Sequence, residues 1–208
     1  MTTHEKLILK QAYNNFAEHR ERTEIEPWKF LEREQFLKQI LREQRMKLLE
    51  IGAGTGRDSL YFQQKGLSVT SVDLSEEMVK LCKAKGLNAL CMDFYQLDFD
   101  AKSFDAVYAL NCLLHVPKAQ LDAVLGQVSK VLKPNGLFFY GVYGGQDTEG
   151  IWEGDNYEPK RFFSMFEDEA IQEVARRHFK IEDFHTVSMG DGVPHFQSLL
   201  LRKEAFSR

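Results

Sequence analysis

The stretch that decides the fold is Leu48–Asp58, which reads LLEIGAGTGRD. Its apolar start is typical of a buried strand, and the glycines that follow, Gly52, Gly54 and Gly56, form a G-x-G-x-G turn that leads into a helix. Glycine adopts a left-handed backbone easily and lets a ligand lie against the main chain. The stretch therefore predicts a strand, a ligand-binding turn and a helix.

A carboxylate follows at the spacing that a ribose site requires. The segment Ser71–Ser75 reads SVDLS and is predicted to end the next strand at Asp73. Because parallel strands end at one edge of a sheet, we expect Asp73 beside the glycine turn, where it can accept hydrogen bonds from both ribose hydroxyls. A dinucleotide fingerprint would need a third glycine at position 57, where this chain has Arg57, so an NAD-dependent oxidoreductase is disfavoured.

These motifs resemble those of the class I S-adenosylmethionine-dependent methyltransferases, in particular the small-molecule methyltransferase domains. Cys91–Phe94 resembles the adenine-contacting turn of that family, Phe104–Asn111 its fourth strand, and Leu132–Leu137 the turn into its fifth. The resemblance covers about residues 10–202. It implies an α/β fold, a three-layer Rossmann-like sandwich whose seven-stranded sheet is mostly parallel, with one antiparallel strand in a C-terminal hairpin.

The resemblance also implies S-adenosylmethionine as the cofactor. The glycine turn would contact its methionine part, Asp73 its ribose, and Asp93 the amine of its adenine. Either Thr55 or Arg57 could reach its carboxylate. The expected cofactor-binding residues are Tyr13, Glu50, Gly52, Ala53, Gly54, Thr55, Gly56, Arg57, Asp73, Leu74, Met92, Asp93, Phe94, Leu110 and Asn111.

The methyl acceptor should lie next to Asn111–His115, which follows the fourth strand. This segment lacks the Pro-Pro motif of enzymes that methylate base amines, so a small-molecule acceptor is favoured. His115 is either a general base or substrate partner, or simply a polar residue before the next helix. The expected substrate-binding residues are His115, Trp152, Tyr157 and Arg161. A non-catalytic S-adenosylmethionine-binding accessory or sensor protein is the alternative.

Composition narrows the function classes. The formal net charge is −4 and the isoelectric point about 5.9, which does not favour nucleic-acid binding. No apolar run approaches the ~18 residues of a membrane span, so no membrane partner is expected. Cys82, Cys91 and Cys112 are scattered, and we expect buried, reduced thiols in a cytoplasmic protein, a monomer or homodimer, with no metal site.

The pattern predicts one methyltransferase domain over residues 1–208. A helical cap would occupy residues 1–45 and the Rossmann-like core residues 46–208, with an aromatic, glycine-containing lid loop at 144–165. The predicted strands are about 46–51, 68–73, 88–92, 104–110, 137–143, 179–187 and 195–202. The predicted helices are about 4–19, one after Pro27, 57–65, one from Ser75 to Gly86, 117–132 and one from about 167. Gly190–Gly192 is predicted to turn the final hairpin.

Overall fold

The computed structural model describes residues 1–190 and 194–205. The helices are α1 (Thr3–Arg22), α2 (Pro27–Arg42), α3 (Arg57–Gln64), α4 (Glu76–Ala84), α5 (Lys118–Val131) and α6 (Asp168–Arg176), with a 3₁₀ helix at Leu113–His115. The strands are β1 (Lys47–Ile51), β2 (Ser68–Asp73), β3 (Asn88–Cys91), β4 (Phe104–Leu110), β5 (Leu132–Gly144), β6 (Thr148–Ile151), β7 (Phe162–Met165), β8 (Lys180–Val187) and β9 (His195–Arg202).

In the described part of the chain, seven strands form one sheet in the order β3-β2-β1-β4-β5-β9-β8. Strands β3, β2, β1, β4 and β5 pair in parallel, whereas β9 is antiparallel to both β5 and β8. The sheet is therefore the predicted one, with a single reversed strand. The chain crosses from one side of β1 to the other after β3, which places a crevice between the carboxyl ends of β1 and β4.

Helix α1 covers that crevice and is attached largely through polar contacts. It begins with a capping box in which Thr2 and Glu5 exchange backbone hydrogen bonds. Its buried residues are the small or aliphatic Leu9, Ala12 and Ala17. The helix therefore contributes polar and aromatic side chains to the crevice rather than a large apolar face to the core.

Three sequence-based expectations need correction. Helix α1 continues to Arg22 instead of ending near residue 19, because its carbonyls find partners described below. The segment 144–165, predicted as a loop, holds the antiparallel pair β6–β7. Cys91 is exposed, since it ends the edge strand β3, while Cys82 and Cys112 are buried as predicted. The predicted turn residues Asp191 and Gly192 lie outside the described residues.

Candidate active site

Two adjoining cavities open at the carboxyl ends of β1, β2 and β4. The larger has a volume of about 960 Å³ and the smaller about 60 Å³. Both are lined by Tyr13, Arg20, Gly54, Asn111 and His115. The larger cavity lies at the upper end of the range found for small-molecule sites, roughly 300–1,000 Å³.

Most of the residues singled out from the sequence line these cavities. Gly56 and Met92 do not, because Gly56 packs against Cys82 and Met92 packs against the core. The large cavity alone is lined by Glu50, Ala53, Thr55, Arg57, Trp152, Tyr157 and Arg161. The small cavity alone is lined by Asp73, Leu74, Asp93 and Phe94. Both cavities are lined by Tyr13, Gly52, Gly54, Leu110, Asn111 and His115.

The three glycines of the turn have different roles. All three have positive φ, between 55° and 80°, which favours glycine. A Cβ on Gly52 would overlap Cβ of Cys112, and a Cβ on Gly56 would overlap Cys82 and Leu87. A Cβ on Gly54 would meet no atom within 4 Å. Close packing thus explains Gly52 and Gly56, whereas Gly54 presents bare backbone to the cavity.

Asp73 is held in place by the turn it faces. Its carboxylate accepts hydrogen bonds from the backbone N–H of Gly54 at 2.8 Å and from that of Ser75 at 2.9 Å. Burial raises the pKa of Asp73 to about 6, although these backbone donors act in the opposite direction. Each carboxylate oxygen has two acceptor positions, so both retain capacity for a hydroxyl pair on a ligand.

Glu50 is fixed below the turn by two serines. Its carboxyl accepts a hydrogen bond from the Ser59 hydroxyl, which lies 2.6 Å from the hydroxyl of Ser71. Burial, with the Asp58 carboxylate as the next contribution, raises the pKa of Glu50 well above its usual value. Glu50 of β1 is therefore linked directly to α3 through Ser59, and Ser59 in turn links it to β2 through Ser71. Glu50 also lines the large cavity.

The turn after β3 carries an acidic side chain next to a small apolar pocket. The Asp93 carboxylate accepts a hydrogen bond from Lys6 Nζ at 2.6 Å and another from the backbone N–H of Tyr95 at 2.9 Å. Leu74 and Phe94 line the same pocket. Because Lys6 belongs to α1, this ion pair joins the covering helix to the predicted adenine site.

Arg57 and Arg20 point in different directions at the edge of the large cavity. The guanidinium of Arg57 donates to the backbone carbonyls of Arg20, Glu21 and Thr23, so it closes the last turn of α1 and is engaged by protein. Arg20, an exposed residue near the end of α1, lines both cavities and donates to the Tyr157 hydroxyl at 3.0 Å. Within the described ranges Arg20 pairs with no carboxylate. The spacing of Tyr13, Phe16 and Arg20, at i, i+3 and i+7, is the signal that could have placed it on the cavity face.

His115 forms part of a buried polar network. It is 3% exposed, and burial lowers its pKa to about 3. Its Nε2 lies 2.6 Å from the Tyr13 hydroxyl and its Nδ1 lies 2.7 Å from the carbonyl oxygen of Phe162. Arg161 donates to the same Tyr13 oxygen at 3.0 Å and forms a bidentate ion pair with Asp155 at 2.8 Å for each bond.

The outer wall of the large cavity is aromatic. Tyr157 stacks on Phe16 of α1 with 4.2 Å between ring centroids, and Arg161 lies 3.4 Å from the Tyr157 centroid on its ring face. At the mouth, Ile151 and Trp152 are 51% and 55% exposed. Isolated exposed apolar residues are common, but two together at the rim of a cavity are typical of a ligand site.

Within 1–190 and 194–205, no group of three or more histidine, cysteine, aspartate or glutamate side chains is arranged to hold a metal ion. Over the same ranges, no helix combines the length and the apolar character that crossing a membrane requires.

Comparison with known proteins identifies the central part of the chain. Residues 49–140 match the profile of a methyltransferase domain family. A sterol 24-C-methyltransferase of Gibberella zeae is 34% identical over 127 residues, which are 56% of this chain and 32% of that protein. The chain spans about a third of the length of the curated relatives it matches.

Solved structures with the same fold cover nearly the whole chain. The 1,6-didemethyltoxoflavin-N1-methyltransferase of Burkholderia thailandensis, with 1,6-didemethyltoxoflavin and S-adenosylhomocysteine bound, superposes with a TM-score of 0.75 at 22% identity, over 99% of this chain and 92% of that one. The magnesium protoporphyrin IX methyltransferase of Synechocystis, with S-adenosylhomocysteine bound, gives 0.72 at 15% identity, over 96% and 100%. Residues 49–140 thus match a methyltransferase domain family, and the chain has the fold of these S-adenosylhomocysteine-bound methyltransferases.

Proposed function

We propose that the protein transfers the methyl group of S-adenosylmethionine to a small-molecule acceptor. The observation that carries this proposal is the bare backbone of Gly54, which bonds to the Asp73 carboxylate and lines both the cavity of about 960 Å³ and the smaller one that Asp73 lines. Such a volume accommodates an acceptor as well as a cofactor. A non-catalytic binding protein would not need the additional space.

The residues fit this cofactor group by group. Asp73 has free acceptor positions for the ribose hydroxyls, and Leu74 and Phe94 supply apolar walls for the adenine. The Asp93 carboxylate can accept a hydrogen bond from the adenine amine, either while it keeps its ion pair with Lys6 or after that pair opens. The Arg20 guanidinium, which has no carboxylate partner among the described residues, is suited to the carboxylate of the methionine part.

S-adenosylmethionine supplies an activated methyl group on a sulfonium, so the protein needs mainly to align the acceptor with it. Tyr13, Asn111 and His115 line both cavities, and we infer that they surround the reacting atoms. Trp152, Tyr157 and Arg161 would hold the rest of the acceptor. The mouth of the cavity bears apolar side chains, which favours an acceptor with an aromatic or apolar part.

Calorimetry with S-adenosylmethionine, S-adenosylhomocysteine and NAD tests the cofactor assignment. We expect both sulfur ligands to bind and NAD to bind at least about a hundredfold more weakly, a difference of roughly 2.7 kcal/mol. Asp73→Ala should weaken cofactor binding by about 2–4 kcal/mol, since hydrogen bonds to a charged group contribute roughly 1.5–3 kcal/mol each. Tighter binding of NAD would refute the assignment.

Transfer of labelled methyl groups tests the reaction. The labelled cofactor and protein are incubated with a small-metabolite extract and, separately, with tRNA, DNA and bulk protein. Label should enter the small metabolites, and the Asp73→Ala variant should lose this transfer. Label that enters only macromolecules would overturn the acceptor class, whereas binding without any transfer would favour the accessory or sensor alternative.

A further inference from the structure

The polar network around Tyr13 fixes the direction of each of its hydrogen bonds. A backbone carbonyl can only accept, so His115 Nδ1 must carry a proton to bond with the Phe162 oxygen at 2.7 Å. In the neutral imidazole Nε2 is then an acceptor, and the Tyr13 hydroxyl at 2.6 Å donates to it. Burial, which lowers the pKa of His115 to about 3, keeps the ring in this neutral form.

The other side of the Tyr13 oxygen is also occupied. A guanidinium has no acceptor, so Arg161 donates to the Tyr13 oxygen at 3.0 Å. Arg161 cannot turn away, because Asp155 binds it through two side-chain bonds and also accepts its backbone N–H at 3.0 Å. Of the two lone pairs of the phenol oxygen, one is therefore engaged, and the other has no partner among residues 1–190 and 194–205.

Tyr13 lines both cavities, so its remaining lone pair can be reached by a ligand that occupies them. Two guanidinium groups, those of Arg20 and Arg161, lie near the same ring, with centroid distances of 5.8 and 5.2 Å. A protonated, cationic amine has no lone pair on nitrogen with which to attack the methyl carbon. What the oxygen can still bind is a neutral hydrogen-bond donor.

We propose that Tyr13 orients the methyl acceptor by accepting a hydrogen bond from it, and that the acceptor is therefore a neutral N–H or O–H compound. This rests on the proposed methyl transfer. Arg161 and His115 act through Tyr13 as positioning residues. Carboxylate and thiolate acceptors have no proton for this lone pair, and carbon acceptors are poor donors.

The chemical step balances with these groups. The acceptor heteroatom forms its bond to the methyl carbon while the carbon–sulfur bond breaks and its electron pair remains on sulfur. The methylated heteroatom is then cationic, and it loses its proton to solvent water when the product leaves the cavity. No proton is placed on His115, whose Nε2 stays bonded to Tyr13.

A matched set of quinolines tests the acceptor class. The probes carry a hydroxyl, amino, methyl, thiol or carboxylate group at the same ring carbon and are titrated into protein saturated with S-adenosylhomocysteine. We expect the hydroxyl and amino compounds to bind about two- to tenfold more tightly than the methyl compound, the range that one neutral hydrogen bond supplies. Tyr13→Phe should abolish this difference. Tyr61→Phe, which removes a hydroxyl that bonds to Glu34 outside both cavities, should retain it.

Nitrogen NMR of labelled histidine tests the network without any acceptor. The wild-type protein should show His115 as the neutral tautomer with its proton on Nδ1, and Tyr13→Phe should shift the Nε2 resonance. A proton on Nε2, equal affinity for the hydroxyl and methyl quinolines, or a preference that survives in Tyr13→Phe would each overturn the proposal. If the wild-type protein does not bind S-adenosylhomocysteine at all, that result would instead refute the proposed function itself.

Discussion

The hydroxyl of Tyr13 lies 2.6 Å from Nε2 of His115, although the two residues are 102 positions apart in the chain. The bond joins the covering helix α1 to the segment after β4, where the methyl group is expected. Because the other ring nitrogen of His115 bonds to the Phe162 carbonyl, neither nitrogen is free to take a proton from a substrate. We therefore expect no limb assignable to His115 in a pH–rate profile near neutrality.

His115→Asn should change the pH dependence of stability. The pKa of His115 is about 3 in the folded protein, below its value in the unfolded chain. The neutral imidazole therefore contributes its full share of the unfolding free energy above about pH 6.5, and this share is lost as the pH falls towards 3. Between about pH 7 and pH 5, the wild type should lose about 2 kcal/mol of unfolding free energy that the variant does not lose. Urea unfolding at both pH values measures this. His4→Asn, at an exposed position, should behave as the wild type does.

Cofactor affinity should fall in mild acid because of Asp73. Its pKa in the free protein is raised to about 6, so the carboxylate that accepts from the ribose becomes protonated below that pH. We expect S-adenosylhomocysteine to bind about tenfold more weakly at about pH 5 than at about pH 7.5. Calorimetry should show that Asp73→Asn loses this dependence, while Asp98→Asn, on an exposed neighbouring turn, keeps it. An unchanged pH dependence in Asp73→Asn would contradict the ribose role.

Arg20→Gln should separate two parts of the cofactor. If the guanidinium binds the carboxylate, the variant should bind S-adenosylhomocysteine about 10- to 150-fold more weakly, as expected for one charged hydrogen-bonded pair. Its affinity for decarboxylated S-adenosylhomocysteine should match that of the wild type. Arg22→Gln is the control, because Arg22 is exposed and pairs with Glu18. Equal losses for both ligands would assign Arg20 a role in the fold instead.

Asp155→Asn should destabilise the protein strongly. The side chains of Asp155 and Arg161 are 1% and 10% exposed, and removing one partner of a buried ion pair typically costs about 3–5 kcal/mol. Denaturant unfolding measures the loss. Glu153→Gln, which breaks the exposed Glu153–Lys160 pair in the same segment, should cost less than about 1 kcal/mol. Similar small effects for both variants would show that the buried pair does not hold this wall of the cavity.

The sequence predicts those parts of the fold and site that depend on neighbouring residues. The glycine turn and Asp73 are recognisable because each closes a strand, and the order of parallel strands brings the two ends together. The final hairpin is recognisable for a similar reason, since two predicted strands follow each other with few residues between them. The roles given to the individual cofactor-binding residues stay predictions.

The parts that could not be predicted depend on residues distant in the chain. Composition indicates that Tyr13, His115 and Arg161 are candidates, but no spacing indicates that they bond to one another. The direction of a long side chain is equally hidden: Arg57 turns towards α1 because three carbonyls there lack partners. The segment 144–165 forms strands because β6 and β7 pair across ten intervening residues without a recognisable tight turn.

The contact between Gly52 and Cys112 has a consequence for how this sequence can evolve. Alanine at position 52 would collide with the Cβ of residue 112, so it requires glycine there at the same time. Even then, the backbone of residue 52, at φ +64°, would cost about 1–2 kcal/mol with any side chain. The two positions form an epistatic pair in which neither intermediate is favourable, and descendants of this chain should keep Gly52 for as long as position 112 carries any side chain.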